Sequence, residues 1–151
     1  MASFTKGPGT QPDPFGKNVY LRSTDPKPRK ESYTVAASTV ALETVNGVAN
    51  QKVLQSGEVM AKITSGGDTG KIGPYDVNAT DGRQTLTNIV GINDTFLPWQ
   101  LLERDVEVAV TYEGAVVQGW CFERVTGVRG ALGDTTAAAL VGKKNLDIKF
   151  K

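Results

Sequence analysis

Between Asp105 and Glu113 the side chains alternate with a period of two. Val106, Val108, Val110 and Tyr112 share one side; Asp105, Glu107, Thr111 and Glu113 share the other with Ala109. Successive strand residues point to opposite faces, so this stretch predicts a half-buried antiparallel strand. Other short β-type runs surround it. Glu58 to Thr64 places Val59, Ala61 and Ile63 on one face, and Gln84 to Ile92 reads as a strand buried on both faces. Ala115-Val116-Val117 follows across Gly114, Trp120-Cys121-Phe122 forms another β segment, and Leu146, Ile148 and Phe150 alternate in a terminal strand. Asn46-Gly47, Ser65 to Gly70, Gly73 to Asp76 and Asp81-Gly82 are turn signals. Asp134 is placed to cap one short helix through Ala137 to Leu140, with Gly142 to end it. The expected fold is mainly β with one short helix, a small barrel or a compact sandwich.

The first 32 residues are different material. They hold five of the seven prolines, and Lys6, Lys17, Arg22, Lys27, Arg29 and Lys30 give them a net +3 against −2 for the remainder. Without a sustained apolar period they cannot offset the entropy of ordering, so 1–32 is expected to be a disordered or extended, flexible N-terminal arm. Tyr33 to Val45 is β-branched and free of proline but alternates poorly, which makes 33–52 an extended segment suited to pairing with a partner, or an ordinary first strand. The β-rich domain is then 53–151. A body of that size can bury about two-thirds of its unfolded surface and needs no metal or disulfide staple.

Histidine is absent, which removes the commonest general base and metal ligand. Glu103, Asp105 and Glu107 fit the wet side of a strand. Gly66 to Ile72 falls one residue short of a phosphate loop and puts Ile72 where a hydroxyl must hold magnesium. Asp76 to Gly82 begins like a calcium loop, but its glycine comes one position late and Thr87 stands where a bidentate glutamate is required. Cys121, the single cysteine, reads as a small buried thiol. No catalytic residue, cofactor or metal is expected. The polarity of charge is too weak to argue for direct nucleic-acid contact. With no apolar signal region and no run of the ~20 residues a membrane span requires, a soluble protein made in a cytoplasm is expected.

From Leu54 onward the order of signals resembles the head decoration proteins of tailed bacteriophages, the lambda capsid-stabilising type. The resembling residues are Leu54 to Ile63, Pro74-Tyr75-Asp76, Asp81 to Thr85, Ile89 to Ile92, Val106 to Val110, Gly114 to Val117, and the Ala-rich helix before a last apolar strand. The resemblance covers roughly the last two-thirds of the chain. The long Pro/Lys-rich leader and the apolar insertion Phe96 to Leu102 depart from the pattern.

The resemblance implies a β-tulip-like domain, a homotrimer, and the major capsid protein of a tailed phage as partner. It places the protein on the outer surface of the virion, made in the bacterial cytoplasm and reinforcing the expanded head against packaged DNA. It implies no enzyme activity, and a flexible N-terminal region that orders against the capsid protein. On that reading the capsid-binding residues are Tyr33, Thr34, Val35, Ala36, Ala37, Ser38, Thr39 and Val40. Phe96, Leu97, Pro98 and Trp99 form either a lid on the core or a trimer interface. A tail, fibre or baseplate β domain is the alternative.

Overall fold

The computed structural model describes residues 21–23 and 28–150, so the expected arm lies for the most part outside the described residues. Eleven strands and one short helix follow in order: β1 (Leu21–Ser23), β2 (Arg29–Val35), β3 (Glu43–Val45), β4 (Val48–Gln51), β5 (Val59–Lys62), β6 (Ile72–Pro74), β7 (Ile89–Asn93), β8 (Val106–Val116), β9 (Phe122–Val125), β10 (Val128–Ala131), α1 (Asp134–Ala139) and β11 (Asp147–Phe150). The architecture is mainly β with one short helix.

The strand predicted from Asp105 to Glu113 is the spine of the molecule. It runs on through Gly114 as β8, where separate segments were expected. One edge of β8 receives β1 and β2; the other receives β7 and, in parallel, β11. The main sheet is ordered β1-β8-β2-β6-β5-β7, and β7 returns to β8. Its closure is thin. Val35↔Ile72 is the single residue pair joining β2 to β6, and Ile92↔Thr111 and Asn93↔Val110 join β7 to β8. A sheet bent back on itself through such short contacts is sandwich-like, not a closed barrel.

Two apolar clusters lie against this sheet. Val59, Ala61, Ile89, Ile92, Val116 and Ile148 pack with Tyr75, Cys121, Leu132, the helix residues Ala137 and Ala139, and Leu140 just beyond the helix. Val35, Met60, Ile72, Val108 and Val110 pack with Val40, Leu54, Leu97 and Leu101. Met60 and its neighbours Val59 and Ala61 thus face opposite clusters, and β5 is buried on both sides.

The period of two in β8 breaks at Tyr112. Arg29 pairs with Glu113 and Lys30 with Thr111, so Tyr112 is an extra residue against β2. Such a bulge re-aims a side chain. Tyr112 packs against the helix-side cluster, while Val106, Val108 and Val110 remain with the other.

Three sequence expectations are corrected. Gln84 to Ile92 is not one strand: Leu86–Asn88 is a 3-10 turn, tied down by Thr85 N–H to the Gly82 carbonyl and by Asn88 Nδ2 to the same oxygen at 2.8 Å. Trp120 likewise ends a 3-10 turn at Gln118–Trp120 ahead of β9. Asp134 is the first residue of α1, which begins after Gly133, and its side chain makes no cap bond. Glu123 of β9 does that work, accepting from Gly133 N–H at 2.7 Å and from Thr136 Oγ1 at 2.5 Å.

The segment from Tyr33 to Val40 belongs to the body. Tyr33, Thr34 and Val35 pair with Val108, Glu107 and Val106 of β8 within the same chain. Ala36, Ala37, Ser38, Thr39 and Val40 then turn through a short 3-10 segment, with Val35, Ala36 and Val40 buried. This is the ordinary first strand of the two readings. It also moves the start of the folded body ahead of residue 53. The turn is latched to the glycine loop: Asp105 accepts from Ala37 N–H at 2.8 Å and from Lys71 Nζ at 2.6 Å, and Ser38 Oγ donates to Asp68 at 2.8 Å.

Removing residues 1–20 should therefore leave the β circular-dichroism signal and cooperative melting intact. Removing residues 1–40 takes away β2 and its buried residues and should give an unfolded or molten product. A folded, cooperative 41–151 fragment would show that β2 is dispensable.

Candidate functional site

The most concentrated chemistry in the described residues is a buried charge network where the β9–β10 hairpin meets the body. The hairpin turns at Thr126-Gly127, both at positive φ, 51° and 79°. Arg124 and Arg129 sit directly opposite each other across it. Both therefore point to the same face, inward, while the opposed pair Val125 and Val128 points out, exposed.

Arg124 and Glu58 are both fully buried and meet in a two-toothed ion pair. Arg124 Nε donates to Glu58 Oε1 at 2.6 Å and its Nη2 to Oε2 at 3.2 Å. The same guanidinium donates to the carbonyls of Val53 and Gly127 at 2.8 and 3.2 Å. Arg129 adds Nε to Glu58 Oε2 at 3.3 Å, Nη2 to Glu43 Oε1 at 2.8 Å and Nη2 to the Val53 carbonyl at 2.9 Å. Gln55 N–H donates to Glu58 Oε2 at 2.6 Å. The network ties β3, the Val53–Glu58 approach to β5, and both strands of the hairpin.

Burial by itself would push the Glu58 carboxyl up. The charge of Arg124, its hydrogen bonds, the charge of Arg129 and the Gln55 N–H outweigh burial and hold it below the usual glutamate value. Asp76 performs a parallel task at the turn, taking N–H bonds from Asn78 and Thr126 at Oδ1 and from Gly127 at Oδ2, at 2.9, 3.0 and 2.7 Å. Its carboxylate, the first residue of the apparent calcium loop, is committed to backbone amides. Glu58 and Asp76 also sit at isolated parallel bridges to Phe122 and Arg124, which align β9 with the body.

Beside the hairpin lies an open hollow of about 300 Å³, lined by Gln55, Gly119, Cys121, Phe122, Arg129, Gly130 and Ala131. Burial pushes the Cys121 thiol up to about 12, so it stays protonated near neutrality and is a poor nucleophile. The charged lining residue, Arg129, holds Glu58 and Glu43. This arrangement joins chain segments; it presents no nucleophile–base pair.

The apolar insertion splits in two. Leu97 is buried, exchanges backbone hydrogen bonds with Leu54 at 2.9 and 3.0 Å, and lies in the second cluster with Leu101. Phe96, Pro98 and Trp99 are half-buried, and Leu102 is exposed. Leu97 is therefore a core residue, and the accessible apolar part of the insertion is Phe96, Pro98, Trp99 and Leu102. Sequence reasoning missed Glu58, Arg124 and Arg129. Their signal was an arginine at mirrored positions around Thr126-Gly127, which puts two cations on one face of a hairpin.

The sign of the pH effect follows from Glu58. Its carboxyl titrates lower in the fold than in the unfolded chain, so its contribution is complete above the ordinary value of about 4.3 and is lost as acid drops the pH through the lowered one. Glu58→Gln should lower stability near neutrality by on the order of 3–5 kcal/mol, since it leaves the buried Arg124 guanidinium without its countercharge and Arg129 with Glu43 alone. It should also flatten this part of the acid-stability profile. Chemical denaturation from pH 7 down through the carboxylate range checks both; an unchanged midpoint would contradict the assignment. Set against known proteins, the chain matches no family model, no curated protein and no solved structure.

Proposed function

We propose that this protein decorates and stabilises the head of a tailed bacteriophage, binding as a homotrimer at three-fold positions of the expanded shell through the major capsid protein. The observation that carries this reading is the ordered run of resembling residues from Leu54 to the C-terminus. In the fold those residues are structural. Glu58 to Lys62 supplies the buried carboxylate and β5, Pro74-Tyr75-Asp76 ends β6 and holds the hairpin turn, Ile89 to Ile92 forms β7, Val106 to Val117 spans β8, and the Ala-rich segment is α1. The strongest polar groups serve cohesion rather than turnover, which suits a protein whose work is mechanical.

With Tyr33 to Val35 and Leu21 to Ser23 both paired to β8, this reading looks for the capsid-binding strand in the chain ahead of Leu21. Extended segments can add a strand to an exposed sheet edge, and three such arms on one trimer make attachment multivalent. Closed three-fold symmetry also matches the symmetry of the site and favours finite assembly over filaments. Protomer contacts fall to Phe96, Pro98, Trp99 and Leu102.

Mixing the purified protein with expanded, undecorated heads tests the reading. Binding should saturate at many sites per facet and raise resistance to heat and osmotic shock in step with occupancy. The 21–151 fragment should stay folded yet lose binding. Trp99→Ala should weaken trimerisation more than it lowers the melting temperature. Attachment at a single vertex, or full occupancy without protection, would sink the decoration reading and favour a tail or baseplate domain.

A further inference from the structure

The Asn46-Gly47 turn joins β3 to β4, with both residues left-handed at φ 49° and 80° and both exposed. A side chain at Gly47 would have no atom within 4 Å, so the space beside the turn is open. The hairpin is thin: its pairs are Glu43↔Gln51 and Val45↔Val48, with an irregular register between them. In a two-residue hairpin the closing hydrogen bonds belong to the flanking residues, here Val45 and Val48, and not to Gly47 N–H.

We propose that Asn46 is a site of spontaneous deamidation. The Gly47 backbone nitrogen, losing its proton to solvent, attacks Asn46 Cγ; the side-chain amide leaves as ammonia, and a five-membered succinimide forms. Water then adds to one of the two ring carbonyls, and the ring opens to aspartate or isoaspartate. The net change is one water consumed and one ammonia released, with no oxidant or cofactor. Ring closure requires the turn to leave its left-handed geometry briefly, and a hairpin held by two residue pairs opens locally at low cost.

The other asparagines of the described residues are placed differently. Asn93 is fully buried, and its amide donates to the Gln55 and Thr95 carbonyls at 3.0 and 2.7 Å. Asn88 donates to the Gly82 carbonyl and Asn78 to Thr126 Oγ1. Asn50 and Asn145 are exposed but precede Gln51 and Leu146, whose side chains crowd the attacking nitrogen, and Leu146 N–H is bonded to the Lys143 carbonyl. Asn46 alone among them combines exposure with a following glycine.

The consequence reaches the charge network. Isoaspartate adds a backbone carbon to the turn and shifts the register of β3, which carries the buried Val45 and the Glu43 that holds Arg129. The modification therefore acts as a slow chemical clock on the β3–β4 hairpin, independent of any partner.

Peptide mapping by mass spectrometry of the intact chain, aged at mildly alkaline pH, tests this. The amide-to-acid mass gain should arise at Asn46 before Asn50, Asn78, Asn88, Asn93 or Asn145, as two separable isomers, and faster as pH rises. Aged protein should show faster hydrogen exchange across 43–51. Asn46→Asp keeps the turn and should show no further mass gain there. Gly47→Ala should slow formation of the product sharply, and if it disturbs the hairpin the Asn46→Asp chain still decides the site. Conversion of another of these asparagines first would overturn the proposal. So would an intact Asn46 after a free peptide of the same sequence has fully converted.

Discussion

A carboxylate with no exposure to water holds two guanidiniums at the seam between the hairpin and the sheet. Taking such charges out of water costs several kcal/mol per ion, and their attraction repays it only where geometry is good and extra hydrogen bonds satisfy the remaining groups. Glu58 meets the Arg124 fork and the Gln55 amide, and the arginines spend further donors on the Val53 and Gly127 carbonyls and on Glu43. Among the described residues, no buried side-chain nitrogen or oxygen lacks a partner. A two-stranded hairpin alone is marginal in water, and these bonds tie this one to the body at Glu58, Val53 and Glu43.

Much of the rest depends on that docking. With β9 in place, Glu123 reaches the start of α1 and replaces the cap that Asp134 does not provide. The six-residue helix is too short to persist by itself. It is held by that cap and by Ala137, Ala139 and Leu140 against the sheet. Then Ile148 of β11 closes on Leu140 through a 2.8 Å backbone bond and lies parallel to β8. The contacts run from charge network to hairpin, to helix, to the final strand, which also pairs with β8 directly.

What the sequence disclosed was local. The alternation around Val106 to Val110, the Asn46-Gly47 turn, the helix position and the Leu146–Phe150 strand all depend on neighbours within a few residues, and all lie where the pattern put them. Tyr112 did not follow its period, because a bulge set by Arg29 and Lys30 across the sheet decides its side. Gln84 to Ile92 had strand composition, but Asn88 and Thr85 bonded the Gly82 carbonyl and bent its first half into a turn. Tyr33 to Val40 looked detachable because its partner strand lies more than 70 residues on. The buried charges were hidden for the same reason: Glu58 and Arg124 are 66 residues apart, and nothing near either one announces the other. The burial of Leu97 between half-buried Phe96 and Pro98 was equally invisible, since its partner is Leu54.

A double-mutant cycle between Glu58 and Arg124 tests the central claim most directly. Glu58→Gln and Arg124→Met, singly and together, are compared by equilibrium denaturation at neutral pH. If these two charges fix the hairpin, each single change is severe. The double change then costs less than their sum, with a coupling on the order of 1–3 kcal/mol. Additivity to within about 0.5 kcal/mol would mean the two residues act independently, and the hairpin would owe its place to apolar packing instead.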